Sequence, residues 1–140
     1  MPDCLFFEIT GEPVAKGRPR FTRFGRAYTP AKTKLYEERV KMAARMAVMA
    51  QRWEIVPVEY CVALKATFFM GMPKSWSEKK RASMFGRPCA KSPDLDNLEK
   101  GLCDGMNGAG VWVDDRQVAR IEAAKFWHTE PAVWVSVARI

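Results

Sequence analysis

Five aspartates crowd one stretch of this chain: Asp94, Asp96 and Asp104, then Asp114 and Asp115. Asp96, Lys100 and Asp104 stand at i, i+4 and i+8, so a helix would put them on one face. Leu95, Leu98, Leu102 and Met106, at i, i+3, i+7 and i+11, would form the buried face opposite. Carboxylates that converge in a basic protein repel one another unless a cation neutralises them. An all-oxygen donor set suits a hard divalent ion, Mg²⁺ with Mn²⁺ as a substitute. On a phosphodiester such an ion polarises the phosphoryl oxygen and makes a bound water acidic enough to attack. Lys100 is spaced to meet the negative charge that develops. Each group also has a plainer role open to it. Asp94 could cap the helix, and Asp94 and Asp96 would both suit its dipole. Asp96 and Lys100 could form a surface pair worth about 0.3–0.5 kcal/mol. Asp114-Asp115 could be turn residues.

Other chemistries fit poorly. An EF-hand loop opening at Asp94 would need glycine sixth and glutamate twelfth, where this chain has Glu99 and Gly105. A phosphate-transfer Asp-x-Asp should follow a buried strand, and Cys-Ala-Lys-Ser-Pro precedes this one. No G-x-x-x-x-G-K-[ST] or G-x-S-x-G occurs. With His128 as the one histidine, a Ser–His or Cys–His nucleophile has no natural base. Cys4, Cys61, Cys89 and Cys103 lie far apart with no C-x-x-C pair, which argues against zinc. The N-terminus has no basic region and only a three-residue apolar run, so no secretion signal is expected. These points predict reduced thiols in a cytoplasmic protein, some of them in the core.

The charge distribution suggests a polyanion. The net charge is +7, and it is uneven. Residues 1–91 carry eighteen basic against eight acidic groups, whereas residues 92–140 carry five against eight. Between residues 13 and 34, Lys16, Arg18, Arg20, Arg23 and Arg26 interleave with Phe21, Phe24 and Tyr28. Cations hold phosphates, and rings stack on bases or wedge between them. Lys79-Lys80-Arg81 forms a second basic cluster. The plainer alternative is solvated charges above aromatics tucked into a core.

The elements that must position these groups are legible in outline. Cys4 to Thr10 reads as a first strand, followed by the basic loop or irregular ribbon. Residues 31–51 are helical, with Tyr36, Val40, Ala43 and Ala47 on one stripe and Met42, Met46 and Met49 widening it towards the core. Residues 58–70 alternate as a long strand. A short helix follows, capped by Ser75 or Ser77, then the acidic helix from Ser92-Pro-Asp94 to about Met106, broken by Asn107-Gly108. After a short extended Val111-Trp-Val, residues 118–127 and 133–139 form two final strands. With 140 residues, 48% hydrophobic and 28% charged, the chain suits one soluble globular domain over residues 1–140. The predicted fold is a small α/β (α+β) domain with a mixed β-sheet packed with helices. No stretch approaches the ~18 uninterrupted apolar residues of a membrane span.

The run Ser92-Pro-Asp-Leu-Asp-Asn-Leu-Glu-Lys-Gly-Leu-Cys-Asp-Gly-Met-Asn-Gly, then Gly110-Val-Trp-Val-Asp-Asp-Arg-Gln-Val118, resembles the signature of the RusA family of Holliday-junction resolvases, often encoded by phages and prophages. Pro13-Val-Ala-Lys-Gly-Arg-Pro-Arg-Phe21 resembles the loop of one branch of that family. The likeness is weakest at residues 73–90. It implies a RusA-like fold and a homodimer that binds four-way DNA junctions and nicks two strands symmetrically with Mg²⁺ or Mn²⁺. Carried over by position, Asp94, Asp96 and Asp115 would be catalytic, metal-holding carboxylates and Lys100 the essential lysine. Asp114 and Asp104 match acidic positions that support the site. Three rival readings remain distinct: a non-catalytic module for branched nucleic acid, a nuclease of broader branched-substrate taste, and a structural protein with an incidental acidic helix.

Overall fold

A computed structural model describes residues 2–16 and 20–140. Strand β1 (Cys4–Thr10) leads to a small ribbon of β2 (Arg20–Phe21) and β3 (Ala27–Tyr28), then to helix α1 (Ala31–Ala50). Strand β4 (Val62–Gly71), helices α2 (Glu78–Met84) and α3 (Leu95–Met106), a 3₁₀ turn (Asp115–Gln117), and strands β5 (Val118–His128) and β6 (Ala132–Arg139) complete it. The main sheet has the order β1-β6-β4-β5. Strand β6 is antiparallel to β1 and β4, whereas β4 and β5 run parallel. A parallel pair needs a long crossover, and this one carries α2, α3 and the turn before β5. The acidic helix is therefore part of the connection between the two parallel strands. This is the mixed-sheet α+β domain that the sequence predicts.

Alternation makes the sheet two-sided. Leu5, Phe7, Leu64, Phe68, Val133 and Val135 are buried. Leu98, Leu102 and Met106 of α3 and Tyr36, Val40 and Ala44 of α1 join them in one core. Fully burying such apolar side chains is worth about 1.5–3 kcal/mol each. Helices α1 and α3 pack very closely because position 105 is glycine. A Cβ there would lie 2.7 Å from the Val40 Cβ and 3.1 Å from the Glu37 carbonyl.

Two expectations are corrected. Met42, Met46 and Met49 do not widen the core stripe: they are 66%, 65% and 79% exposed. Helix α1 instead buries Thr33, Tyr36, Val40, Ala44 and Ala47. The long strand also starts later than alternation suggests. Pro57 to Tyr60 forms a turn, with the Tyr60 amide donating 3.0 Å to the Pro57 carbonyl. Tyr60 is exposed, and β4 begins at Val62. The short basic helix does start at a serine cap: Ser77 accepts from the Lys80 amide at 3.2 Å. Of the cysteines, Cys89 is buried and Cys4 and Cys61 are exposed, all unpaired.

Candidate active site

Helix α3 presents its acidic face where the turn before β5 returns to it. Asp94 is the N-cap residue, in extended conformation, and its side chain makes no capping hydrogen bond. The plain capping role is therefore not the one it plays. The loop before it is held from β5, where Lys125 Nζ donates to the Lys91 carbonyl at 2.8 Å and the Pro93 carbonyl at 3.1 Å.

Further along α3, Asp96 is exposed and Glu99 half-buried. Lys100 Nζ lies 3.6 Å from Asp104 Oδ1, with a side chain 64% exposed. The other Asp104 oxygen is 3.1 Å from Lys16 Nζ, which also lies 2.7 Å from Glu37. Asp104 is thus already neutralised. Lys16, which the sequence places among the phosphate-binding groups, ties the segment before the ribbon to α1 and α3. Its amide donates 3.0 Å to the Asn97 carbonyl. Gly101 permits that approach, since a Cβ there would sit 3.0 Å from the Val14 carbonyl oxygen.

The second half of the site comes from the 3₁₀ turn. Asp114 Oδ1 accepts the Arg116 amide at 2.9 Å, and Gln117 completes the capping box. That amide holds the Asp114 carboxyl below its usual range. Asp114 is therefore the turn former and Asp115 the residue offered to α3. Gln117, though polar, is 3% exposed. Its Oε1 accepts from the Val113 and Asp114 amides at 2.7 and 2.9 Å. Its Nε2 donates to the Val56, Pro57 and Tyr60 carbonyls at 3.1, 2.9 and 3.0 Å. Asp115 Oδ2 accepts from Asn107 Nδ2 at 3.2 Å, and Asn107 Oδ1 accepts from the indole of Trp112 at 2.7 Å.

Asp96, Glu99, Lys100, Cys103, Asp115 and Ile121 line one open depression of about 240 Å³. Burial, then repulsion from Asp96, raises the Glu99 carboxyl above its ordinary value. Burial also pushes the Cys103 thiol up to about 12, with Asp115, Asp104 and Glu99 adding to the effect. Burial and the surrounding carboxylates thus disfavour its nucleophilic thiolate form. Among the described residues, no ion pair engages Asp94, Asp96, Glu99 or Asp115. Nor do three acidic, thiol or imidazole groups gather into a ready-made metal cage. The donor chemistry still fits a hard divalent ion. Mg²⁺ is usually held by one or two carboxylates, with water and substrate phosphate completing its shell. Asp94 is not among the residues lining the depression. A cavity of about 780 Å³, an apolar groove beside α1 lined by Val14, Leu35, Tyr36 and Met42 among others, lies away from these carboxylates.

The basic groups separate into two sets. In the ribbon, Thr22 organises the turn, accepting the Phe24 and Arg26 amides on its hydroxyl at 3.3 and 3.2 Å. Phe21, Phe24 and Tyr28 are exposed, so these aromatics are not tucked into a core. Arg23 lies over the Phe24 ring at 5.0 Å, and Arg26 is exposed. Arg18 and the side chain of Arg20 lie outside the described residues. On α2, Lys79 is exposed and Lys80 sits 4.4 Å over Trp76. Arg81 turns inward to donate 3.0 Å to the Pro73 carbonyl.

Sequence reasoning missed Glu99, Asn107, Gln117 and Lys125. Gln117 had a signal in its capping-box spacing from Asp114, and Glu99 in its i+3 spacing from Asp96 on one helix face.

The sequence is similar to known proteins along almost the whole chain. The chain is similar to a protein of Bacillus subtilis (strain 168) named "Uncharacterized protein YqaN", 36% identical over 146 residues, covering 99% of this chain and 98% of that one. Residues 10–138 match the family described as Endodeoxyribonuclease RusA, a span that includes both halves of the depression. The chain therefore belongs to the RusA family of Holliday-junction-resolving endodeoxyribonucleases.

Proposed function

We propose that this protein is a divalent-cation-dependent endonuclease that resolves four-way DNA junctions by paired symmetric nicks. One observation carries the proposal: Asp96 and Lys100 of α3 and Asp115 of the 3₁₀ turn line the same open depression. Asp94, Asp96 and Asp115 would hold Mg²⁺ or Mn²⁺, with Asp114 shaping the turn beside them. When bound, the cation would polarise the scissile phosphate and make a coordinated water acidic. Lys100, exposed at the rim, would meet the charge that grows on the phosphoryl oxygens. Asp104 would keep the Lys100 ammonium oriented. Hydrolysis would leave a 5′-phosphate and a 3′-hydroxyl.

The ribbon would supply the substrate contact. Arg23 and Arg26, together with Arg18 and Arg20, would hold phosphates, while Phe21, Phe24 or Tyr28 would stack on bases exposed at the branch point. Lys79 and Lys80 would extend that surface. Lys16 and Arg81 would act on it indirectly, through the segments they tie down. A homodimer would match two sites to two symmetry-related phosphates. Its work would lie in the cytoplasm, with the DNA; no helix among the described residues is long and apolar enough to cross a membrane.

The test is a cleavage panel in Mg²⁺: a synthetic four-way junction, a flap, a fork and linear duplex. Paired nicks confined to the junction are expected. Equal cutting of flap and junction would favour the nuclease of broader taste. Tight junction binding with no cleavage in either Mg²⁺ or Mn²⁺ would make the protein a binding module.

A further inference from the structure

Helix α3 ends at Asn107, whose amide donates 3.0 Å to the Cys103 carbonyl. Gly108 and Gly110, both at positive φ (80° and 89°), then turn the chain so that Trp112 returns beside the helix end. The Asn107 side chain lies between Trp112 and Asp115, 2.7 Å from the indole nitrogen and 3.2 Å from the carboxylate. Trp112 is 1% exposed. An indole N–H can only donate, so it must face the oxygen of the asparagine amide. The NH₂ group then has to face Asp115. The flipped amide would set donor against donor and lone pair against lone pair. A buried tryptophan thus decides the direction in which the asparagine donates.

We infer that Asn107, locked by Trp112, is a positioning residue for Asp115. It restrains the carboxylate that lines the depression, and so sets how well the site takes a divalent cation. This rests on the nuclease reading above. Asparagine suits the task because it offers an acceptor on one side and a donor on the other. Aspartate would turn an oxygen towards Asp115, and glutamine is one methylene too long. Partners that orient a metal-holding side chain typically change metal affinity or activity 10–100-fold when removed.

The test is a double-mutant cycle on the full chain. Asn107→Ala is made in the wild type and in Asp115→Ala. Mn²⁺ binding is read from the electron-paramagnetic signal of the free ion, beside the thermal midpoint and the Mg²⁺ concentration for half-maximal junction cleavage. In the wild type, Asn107→Ala should weaken Mn²⁺ binding and raise the Mg²⁺ requirement by roughly 10–100-fold. In Asp115→Ala it should change Mn²⁺ binding less than about twofold, because its target is gone. The thermal midpoint should fall in both backgrounds. A fall in midpoint with unchanged Mn²⁺ binding would overturn the inference, leaving a merely structural residue. Equal losses of Mn²⁺ binding in both backgrounds would overturn it too. If Asn107→Ala does not fold, Asn107→Leu carries the same expectations, since it keeps the shape of asparagine and can neither accept from the indole nor donate to Asp115. A wild type that neither binds Mn²⁺ nor cleaves would sink the nuclease reading and this inference with it. A wild type that does both, beside an indistinguishable variant, would sink this inference alone.

Discussion

Replacing Gln117 by methionine would test whether one buried amide holds the Asp115 turn in place. Methionine has nearly the same length and volume, so packing should change little. What it removes is hydrogen bonding. Gln117 Oε1 accepts from two backbone amides, and Nε2 lies within 3.1 Å of three carbonyls. Nε2 has only two hydrogens, so one of them is shared and four bonds are at stake in all. At about 1 kcal/mol net each, they sum to about 4 kcal/mol. The Val113 and Asp114 amides lie near solvent, and water would replace part of their share. The expected loss is therefore about 3 kcal/mol, a large part of the 5–15 kcal/mol typical of a domain. Urea unfolding followed by tryptophan fluorescence measures it, and Mn²⁺ binding should weaken in parallel because Asp115 follows the turn. A loss under about 1 kcal/mol with unaltered Mn²⁺ binding would refute the claim that this amide organises the site.

Lys16→Met should destabilise the protein by about 1–2 kcal/mol, since it leaves Glu37 and the inner oxygen of Asp104 without their closest cation. The hydrogen bond to Glu37 outweighs burial and raises the Lys16 pKa above its ordinary 10.5. The wild type's advantage should thus hold from neutral pH up to about 10.5, then shrink as pH rises through the raised value; a flat difference at higher pH would contradict the ion-pair account. Glu99→Gln should raise stability slightly, by less than about 1 kcal/mol, in chelator at neutral pH. A raised carboxyl pKa means that the charged form is penalised in the fold, so the gain should vanish below the unfolded carboxylate range; thermal melts at pH 4 and 7.5 read this. Replacing Arg23 and Arg26 by alanine should weaken junction binding and flatten its salt dependence by roughly 0.9 per lost phosphate contact on duplex arms. An unchanged slope would remove the ribbon from the DNA surface.

Much of the architecture is written in local pattern. The alternation of β1, the leucine face of α3 and the breaks at Asn107-Gly108 all specify their elements directly. That Asp96 and Lys100 share a helix face was legible for the same reason, whereas Asp94 does not line the depression and Asp104 pairs with Lys16. Local pattern misleads where a residue's fate depends on its neighbour rather than its type. Met42, Met46 and Met49 are apolar enough for a core, but Gly105 draws α3 so close to Val40 that α1 buries alanines instead. Val58 to Tyr60 continues the alternation of β4, but the Gln117 amide gathers the Pro57 and Tyr60 carbonyls at a turn. Lys16 looks like its basic neighbours in sequence, and only the fold brings Glu37 and Asp104 to it. The clamp of Trp112 and Asn107 on Asp115 depends on geometry that spacing does not encode.

The central claim is that Asp96 belongs to the catalytic site of a junction-resolving nuclease. Asp96→Asn keeps the size of an exposed side chain, so the fold should be unaffected. The measurement is cleavage and binding of one synthetic four-way junction by wild type and variant, side by side in Mg²⁺. The variant should bind the junction at least as tightly, having lost a charge that repels phosphate, and should give no paired nicks. Cleavage by the variant at the wild-type rate would contradict the assignment of the site.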